Sequence, residues 1–230
     1  MRNTPRSVMV FAAGFGTRMG ALTQDRPKPL IKVAGRALID HGLDLIEEMG
    51  AENIVINAHY KADMLRAHLA GKNVILSEEQ PEILDTGGGL KAALPLLGEN
   101  PVFSMNSDAV WSGPNPLQHL AQFWEPDSMD ALLLCVPLAR AEGHLGQGDF
   151  VIGADGRLAR GPGAVFTGLQ IVKPDCVRAV EKRVFSLNEV WTDAQLRGRL
   201  FGIAYPGSWA DVGHPEGIAR AEAMLEAGDV

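Results

Sequence analysis

Val8-Met9-Val10-Phe11-Ala12-Ala13-Gly14-Phe15-Gly16-Thr17-Arg18-Met19-Gly20 is the stretch on which the fold turns. Its first six residues form a short apolar run stopped by glycine, the pattern of a strand buried on both faces. A glycine loop directly after such a strand lies at the carboxyl end of an open α/β sheet, where ligands bind. Glycines leave backbone N–H groups unobstructed, so the loop can cradle an anion, and Arg18 adds a planar, permanently charged fork suited to phosphate oxygens. Two other phosphate-binding loops are excluded. The third glycine of G-x-G-x-x-G would fall on Met19, and no Gly-Lys-Ser/Thr follows. On the loop alone, a tight turn carrying a surface arginine accounts for the residues equally well.

Outward from this loop, strand-like and helix-like segments alternate. Apolar residues at 38, 39, 43, 45, 46 and 49 share one face of a helix over Leu38–Met49, and Gly50 stops it. Strands are expected at Asn53–Asn57, Asn73–Leu76, Val102–Met105 and Ala131–Val136. Helices are expected between them, around Lys61–Leu69, Leu90–Leu97 and Pro116–Phe123. Such alternation with continuous apolar strands predicts an α/β fold, a mostly parallel mixed sheet in a three-layer α/β/α arrangement. After Pro137 the pattern changes. Gly143–Gly163 carries seven glycines and two short strand candidates, Phe150–Ile152 and Arg157–Arg160, with Asp155-Gly156 as a hairpin signal. A strand at Val165–Val172, a helix at Glu189–Arg197, a strand at Leu200–Ala204 and a helix at Pro215–Ala227 follow. The last helix carries Ile218, Ala221 and Leu225 on one stripe, expected to pack inward.

The chain has 230 residues, 46% hydrophobic and 21% charged, enough apolar content for a sizeable core. Its formal net charge of −7 argues against a nucleic-acid binder, although a few basic groups in one cleft still suit a phosphate ligand. Cys135 and Cys176 are too few for a disulfide framework or a four-thiolate zinc site, and the six histidines lack zinc-ligand spacing. Cys135 lies in an apolar run and reads as a buried thiol. The run after Met1-Arg2-Asn3-Thr4-Pro5-Arg6 is too short for a signal-peptide core, and no stretch of ~20 apolar residues is present. The expectation is a cytoplasmic protein without a membrane partner.

Arg26-Pro27-Lys28-Pro29-Leu30 sharpens the reading of the glycine loop. Prolines on both sides restrain the backbone and present Lys28 at a set angle, as gripping both ends of a polyphosphate requires. Together with Ala12-Ala13-Gly14, Gly16-Thr17-Arg18-Met19 and Leu22-Thr23, this string resembles the signature of the sugar-1-phosphate nucleotidylyltransferase family. Asp85-Thr86-Gly87-Gly88-Gly89, Asn106-Ser107-Asp108 and Trp209-Ala210-Asp211-Val212-Gly213-His214-Pro215-Glu216 extend the resemblance to nearly the whole chain. Within the family, the Asp-Thr-Gly-Gly-Gly segment and the chain length are most similar to the N-acetylmuramate-1-phosphate uridylyltransferases of cell-wall recycling.

The resemblance implies a Rossmann-like nucleotidyltransferase (GT-A-like) fold and a single domain over residues 1–230. Residues 1–136 would form a nucleotide-binding half and residues 137–230 a sugar-binding half. The implied reaction is Mg²⁺-dependent nucleotidyl transfer from a nucleoside triphosphate to a sugar 1-phosphate, with small-molecule partners and a monomer or small homo-oligomer. Arg18 and Lys28 would be the catalytic cations. Ala12, Ala13, Gly14, Gly16 and Thr17 would hold phosphates, and Asp108 and Asp211 the metal. Gln80 would read the base, with Glu79 as an exposed alternative, and Gly87 and Gly88 would let backbone approach base or ribose. Asn106, Asp149, Thr167, Gly168 and Asn188 would face the sugar, and His59 would be structural. Two departures from the family pattern stand out: Ala21 replaces a common loop proline, and Ser107 places a side chain beside Asp108. Other pairs remain open, among them GTP with mannose 1-phosphate, dTTP or UTP with glucose 1-phosphate, and CTP with a phosphorylated alcohol. A silent nucleotide-sugar sensor is also open. A glycosyltransferase is disfavoured because no Asp-x-Asp lies near Asp108.

Overall fold

β1 (Ser7–Phe11) is buried along nearly its whole length, as its unbroken apolar run requires. In the computed structural model, which describes residues 5–144 and 146–228, it lies inside a seven-stranded sheet. The residues Met1–Thr4, read above for a targeting segment, lie outside the described ones. The chain continues through β2 (Lys32–Val33), β3 (Arg36–Ala37), α1 (Leu38–Met49), β4 (Asn53–Ala58), α2 (Ala62–His68), β5 (Ile75–Glu78) and α3 (Asp85–Leu97). Then come β6 (Val102–Asn106), β7 (Ala109–Ser112), α4 (Pro116–Gln122), β8 (Ala131–Val136) and β9 (Ala141–Glu142). The last stretch holds β10 (Phe150–Ile152), β11 (Leu158–Arg160), β12 (Val165–Val172), α5 (Pro174–Arg178), α6 (Leu187–Leu196), β13 (Leu200–Ala204), β14 (Ser208–Asp211) and α7 (Pro215–Gly228).

The large sheet runs β13-β8-β12-β6-β1-β4-β5. β1 pairs in parallel with β4 and β6, β4 with β5, and β13 with β8; β12 lies antiparallel between β6 and β8. Side chains alternate across a strand, and here the alternation divides two cores. Val8 and Val10 join Ile39, Leu43 and Ile46 of α1 and Leu117 and Leu120 of α4 on one face. Met9 joins Leu90, Leu94 and Leu97 of α3 and Val190 and Trp191 of α6 on the other. β8 does the same, sending Leu132 and Leu134 to the first core and Leu133 and Cys135 to the second. The layers are therefore helix, sheet, helix, an α/β fold with a mostly parallel mixed sheet.

A third, smaller core lies under α7. Ala221 and Val212 pack there with Met19, Ile31, Val33 and Val110, and Ile218 and Leu225 rest against them, so the stripe of α7 faces inward. Beside this core a second sheet, ordered β7-β14-β9, was not foreseen. Nor was the hairpin β2–β3, or α5. α3 begins at Asp85 rather than Leu90, which places the Gly87-Gly88-Gly89 run inside its first turns.

Candidate active site

The glycine loop leaves β1 and turns at Gly16, whose φ of 64° is left-handed. A Cβ at Gly16 would lie 2.9 Å from the Cβ of Lys28 and 2.9 Å from Cγ2 of Thr23, so glycine is required both by conformation and by the close seat of Lys28. The Thr23 hydroxyl donates to the carbonyls of Gly16 and Gly20, and the Tyr60 hydroxyl donates to Thr23 O. These bonds hold the turn although alanine stands at position 21. Met19 is buried in the third core. The neighbouring Arg18 lines a cleft of about 200 Å³ with Gly14, Gly16, Thr17, Lys28 and Asp108. Ala12 lines it too, but its N–H is donated to Asn57 Oδ1 at 2.6 Å and shapes the loop instead of binding a ligand.

Asp108 and Asp211 meet through the second sheet. β7 begins directly after Asp108, Asp211 pairs with Ala109 across the ladder, and the Val212 N–H donates to Asp108 O at 2.9 Å. Lys28 Nζ donates to Asp108 Oδ2 at 2.6 Å, with the lysine side chain largely enclosed. Gly213 acts as a spacer, since a Cβ there would lie 2.8 Å from Asp211 Oδ2 and 3.2 Å from Arg18 Nη1. Burial first, and then the charge of Asp108, push the Asp211 carboxyl above the ordinary range; Lys28, Arg18 and His214 offset this only partly. Carboxylates are hard oxygen donors, and with Asp211 crowded by Asp108 beside the cleft the pair fits a magnesium ion, which Asp108 and Asp211 would hold. Ser107 lines the same cleft beside Asp108, but its hydroxyl is donated to Phe11 O at 2.6 Å and ties β6 to β1.

Two further cavities adjoin the cleft. One of about 270 Å³ is lined by Ala13, Gly14, Asn57, Glu79, Asp85 and Asp108, among others. The other, of about 400 Å³, brings Asn106, Asp149, Gly168 and Asn188 together with Phe150, Arg160, Phe166 and Trp191. Gly168, at φ 83°, stands where β12 breaks register, and a Cβ there would lie 2.7 Å from Asn106 Nδ2. Asp149 accepts from the Phe166 N–H at 2.9 Å.

Several residues do other work than expected. Thr167 is buried behind the strand, its hydroxyl donating to Leu134 O and its carbonyl accepting from Trp209 Nε1. Gly87 and Gly88 both donate their N–H groups to Phe185 O. Cβ atoms on them would lie 2.3 Å from the Phe185 ring and 2.3 Å from Arg183 O, so these glycines seat α3 on the segment 183–185, with neither amide left for a base. Gln80 is exposed and lines none of these cavities; its carbonyl accepts from Arg183. Glu79 is 2% exposed, not a surface reader: it accepts from Asn57 Nδ2 and the Leu84 N–H, while its carbonyl meets His59. Asp85, Arg160, Phe166 and Trp191 were not singled out as site residues. Asp85 had a signal, its place in the quoted motif; it lines both side cavities at φ 60°. Arg160 and Trp191 had none, because their cavity is assembled from separate segments.

Comparison with known proteins points the same way. The sequence model of the MobA-like NTP transferase domain matches residues 8–182. A protein of Caulobacter vibrioides named N-acetylmuramate alpha-1-phosphate uridylyltransferase is 40% identical, over 98% of this chain and 99% of its own. One of the same name from Neisseria meningitidis is 31% identical, over 95% and 98%. The structure of the inositol-1-phosphate CTP transferase from T. maritima superposes with a TM-score of 0.78 at 17% identity, over 98% of each chain, which shows a shared fold.

Proposed function

The chain belongs to the family of MobA-like NTP transferase domains and is a nucleotidyltransferase, and we propose that it transfers a uridylyl group from UTP to N-acetylmuramate 1-phosphate, releasing pyrophosphate. The observation that carries this reading is the near-complete match, at 40% identity, to a protein of that name. With this acceptor the reaction serves peptidoglycan recycling and runs in the cytoplasm, where nucleoside triphosphates are held. The division into a nucleotide side (residues 1–136) and a sugar side (137–230) belongs to the same proposal. What supports it is that most of the lining of the larger side cavity, Asp149, Arg160, Gly168, Asn188 and Trp191 among it, comes from the later half.

The chemistry asks little of any general base. A phosphate monoester has its second pKa near ~6, so the attacking oxygen is already charged at neutral pH. That oxygen bonds to the α-phosphorus as the bond to the bridging oxygen breaks, and pyrophosphate leaves with the electron pair. Two anions must be held in line and the developing charge neutralised. Arg18 and the amides at Gly14, Gly16 and Thr17 hold the phosphates of the nucleotide. Lys28, fixed over Asp108, steers the incoming phosphate towards the α-phosphorus. Mg²⁺ is the cofactor in this reading, held by Asp108 and Asp211. When bound it supplies a Lewis acid that draws charge from the triphosphate oxygens.

The test is pyrophosphate release with Mg²⁺, crossing UTP, dTTP, CTP, GTP and ATP with N-acetylmuramate, N-acetylglucosamine, glucose and mannose 1-phosphates. Fastest release with UTP and N-acetylmuramate 1-phosphate supports the proposal. A faster alternative pair keeps the chemistry and replaces the substrate; bound nucleotide without release across the grid makes the protein a sensor.

A further inference from the structure

The 400 Å³ cavity is lined by two carboxylates, Asp85 and Asp149, and by one guanidinium, a charge that a neutral sugar would not need. Among the residues lining it, Arg160 supplies the cationic side chain. Its guanidinium lies 4.5 Å from the centroid of the Phe150 ring and 5.3 Å from that of Trp191. Aromatic faces of this kind hold a guanidinium plane while leaving its N–H edges free to donate. Trp191 is itself fixed: its Nε1 donates to Gln170 Oε1 at 2.7 Å, and Gln170 Nε2 donates to Ser104 Oγ at 3.0 Å. The hydrogen-bond partner of Arg160 is an uncharged amide, Asn188 Oδ1; Asp149 acts on the guanidinium through charge without pairing with it directly, so the fork keeps donors to spare. Arg157, three positions earlier, is instead paired with the carboxylate of Asp155 on the surface. Asp149, in the same wall, has one oxygen taken by the Phe166 N–H, and hydroxyl groups of a sugar suit the other. Asn106 and the second oxygen of Asp149 suit hydroxyls, whereas a planar fork with spare donors matches a carboxylate.

We propose that Arg160 is a specificity residue that receives a carboxylate borne by the acceptor, so that this enzyme selects acidic sugar 1-phosphates over neutral ones. This rests on the functional reading above, in which the acceptor lies in this cavity with its phosphate towards Lys28. N-acetylmuramate differs from N-acetylglucosamine by a lactyl ether ending in a carboxylate, so the two 1-phosphates form a matched pair that isolates the contact.

The experiment measures kcat and KM for both acceptors in the wild type, Arg160→Gln and Arg160→Lys. The wild type should prefer the acidic acceptor. Arg160→Gln should lower kcat/KM for it roughly 10- to 100-fold, mostly through KM, as loss of a charged hydrogen bond does. The neutral acceptor should change less than about 3-fold, and Arg160→Lys, with charge but no fork, should fall between. Equal losses on both acceptors would make Arg160 a wall residue and overturn the proposal, as would a wild type indifferent to the carboxylate. Calorimetric binding of free N-acetylmuramate against N-acetylglucosamine reads the same contact without turnover. If no pair releases pyrophosphate, the functional reading fails, while an Arg160-dependent preference for the acid in that binding experiment still supports this contact, and its absence overturns it.

Discussion

At the scale of single residues the site is a balance of charges. Lys28 is held by Asp108, in a cleft shared with Arg18. Lys28→Ala should cost about 2–4 kcal/mol of transition-state stabilisation, a fall in kcat/KM of roughly 30- to 1,000-fold with an unchanged circular dichroism spectrum. A fall below 3-fold would remove Lys28 from the reaction. Asp211 pulls the other way. Its raised pKa means that the folded chain holds this proton more tightly than the unfolded one, so its contribution to stability declines as pH rises from 3.8 through the raised value. At neutral pH, without metal, Asp211→Asn should therefore raise the unfolding midpoint, by about 2–4 °C for each kcal/mol relieved. If Asp211 is a metal ligand, the variant should also lack any upward shift that added Mg²⁺ produces in the wild type. A lowered midpoint in the variant would show that the carboxylate supports the fold instead of straining it.

At the scale of elements, glycines separate the parts that bind from the parts that pack. Nothing lies within 4 Å of a Cβ placed on Gly14, which faces the cleft. Gly14→Ala should leave the unfolding midpoint within 1–2 °C, roughly the effect of an exposed methyl, and still weaken nucleotide binding. A Cβ on Gly87 would collide with the Phe185 ring at 2.3 Å and its carbonyl at 2.8 Å. Gly87→Ala should cost about 1–3 kcal/mol in urea unfolding, an overpacking penalty. Equal stability in the two variants would refute this division. The sequence reading treated both as ligand glycines because local sequence does not show what packs opposite. The long elements were legible for a physical reason: β1, β8, α1 and α4 carry unbroken apolar runs or a clear helical stripe. The pairs β2–β3 and β7–β14 were not, since strands of two to four residues show no period and these lack the Asp-Gly turn that marked β10–β11.

At the scale of the molecule, Asp130 pins the later strands together. It stands just before β8 and is 4% exposed. It accepts from Lys173 at the end of β12 and from Arg199 before β13, and it pairs with Arg197. Burial alone would raise its pKa, but the hydrogen bonds from Arg199 and Lys173 and the charges of Arg197 and Arg199 outweigh this and lower it. A lowered carboxylate pKa stabilises the fold above the ordinary value of 3.8, and the gain is lost as pH falls through the folded value. Asp130→Asn should be about 2–3 kcal/mol less stable than the wild type at pH 7, below the ~3–5 kcal/mol of a fully buried broken pair because Lys173, Arg197 and Arg199 stay partly exposed. The gap should narrow below about pH 3.8. A gap independent of pH would mean that packing, not charge, is what the substitution removes.

The sequence by itself determined the layered sheet, the glycine loop at the end of β1 and the residues that can carry its charge: Arg18, Lys28, Asp108 and Asp211. The sheet, the loop and the seat of Lys28 are local matters, written in periodicity and in proline and glycine placement; Asp108 and Asp211 were marked by motifs that resemble the family signature. Tertiary structure alone decided that Asp108 and Asp211 are neighbours, because a β7–β14 ladder joins segments about a hundred positions apart. It also turned Gly87, Gly88, Thr167 and Glu79 to the support of the fold and brought Arg160 beside Trp191 in the cavity wall. Which atoms become neighbours across so long a loop is settled by how the cores pack, and no short stretch of residues records it.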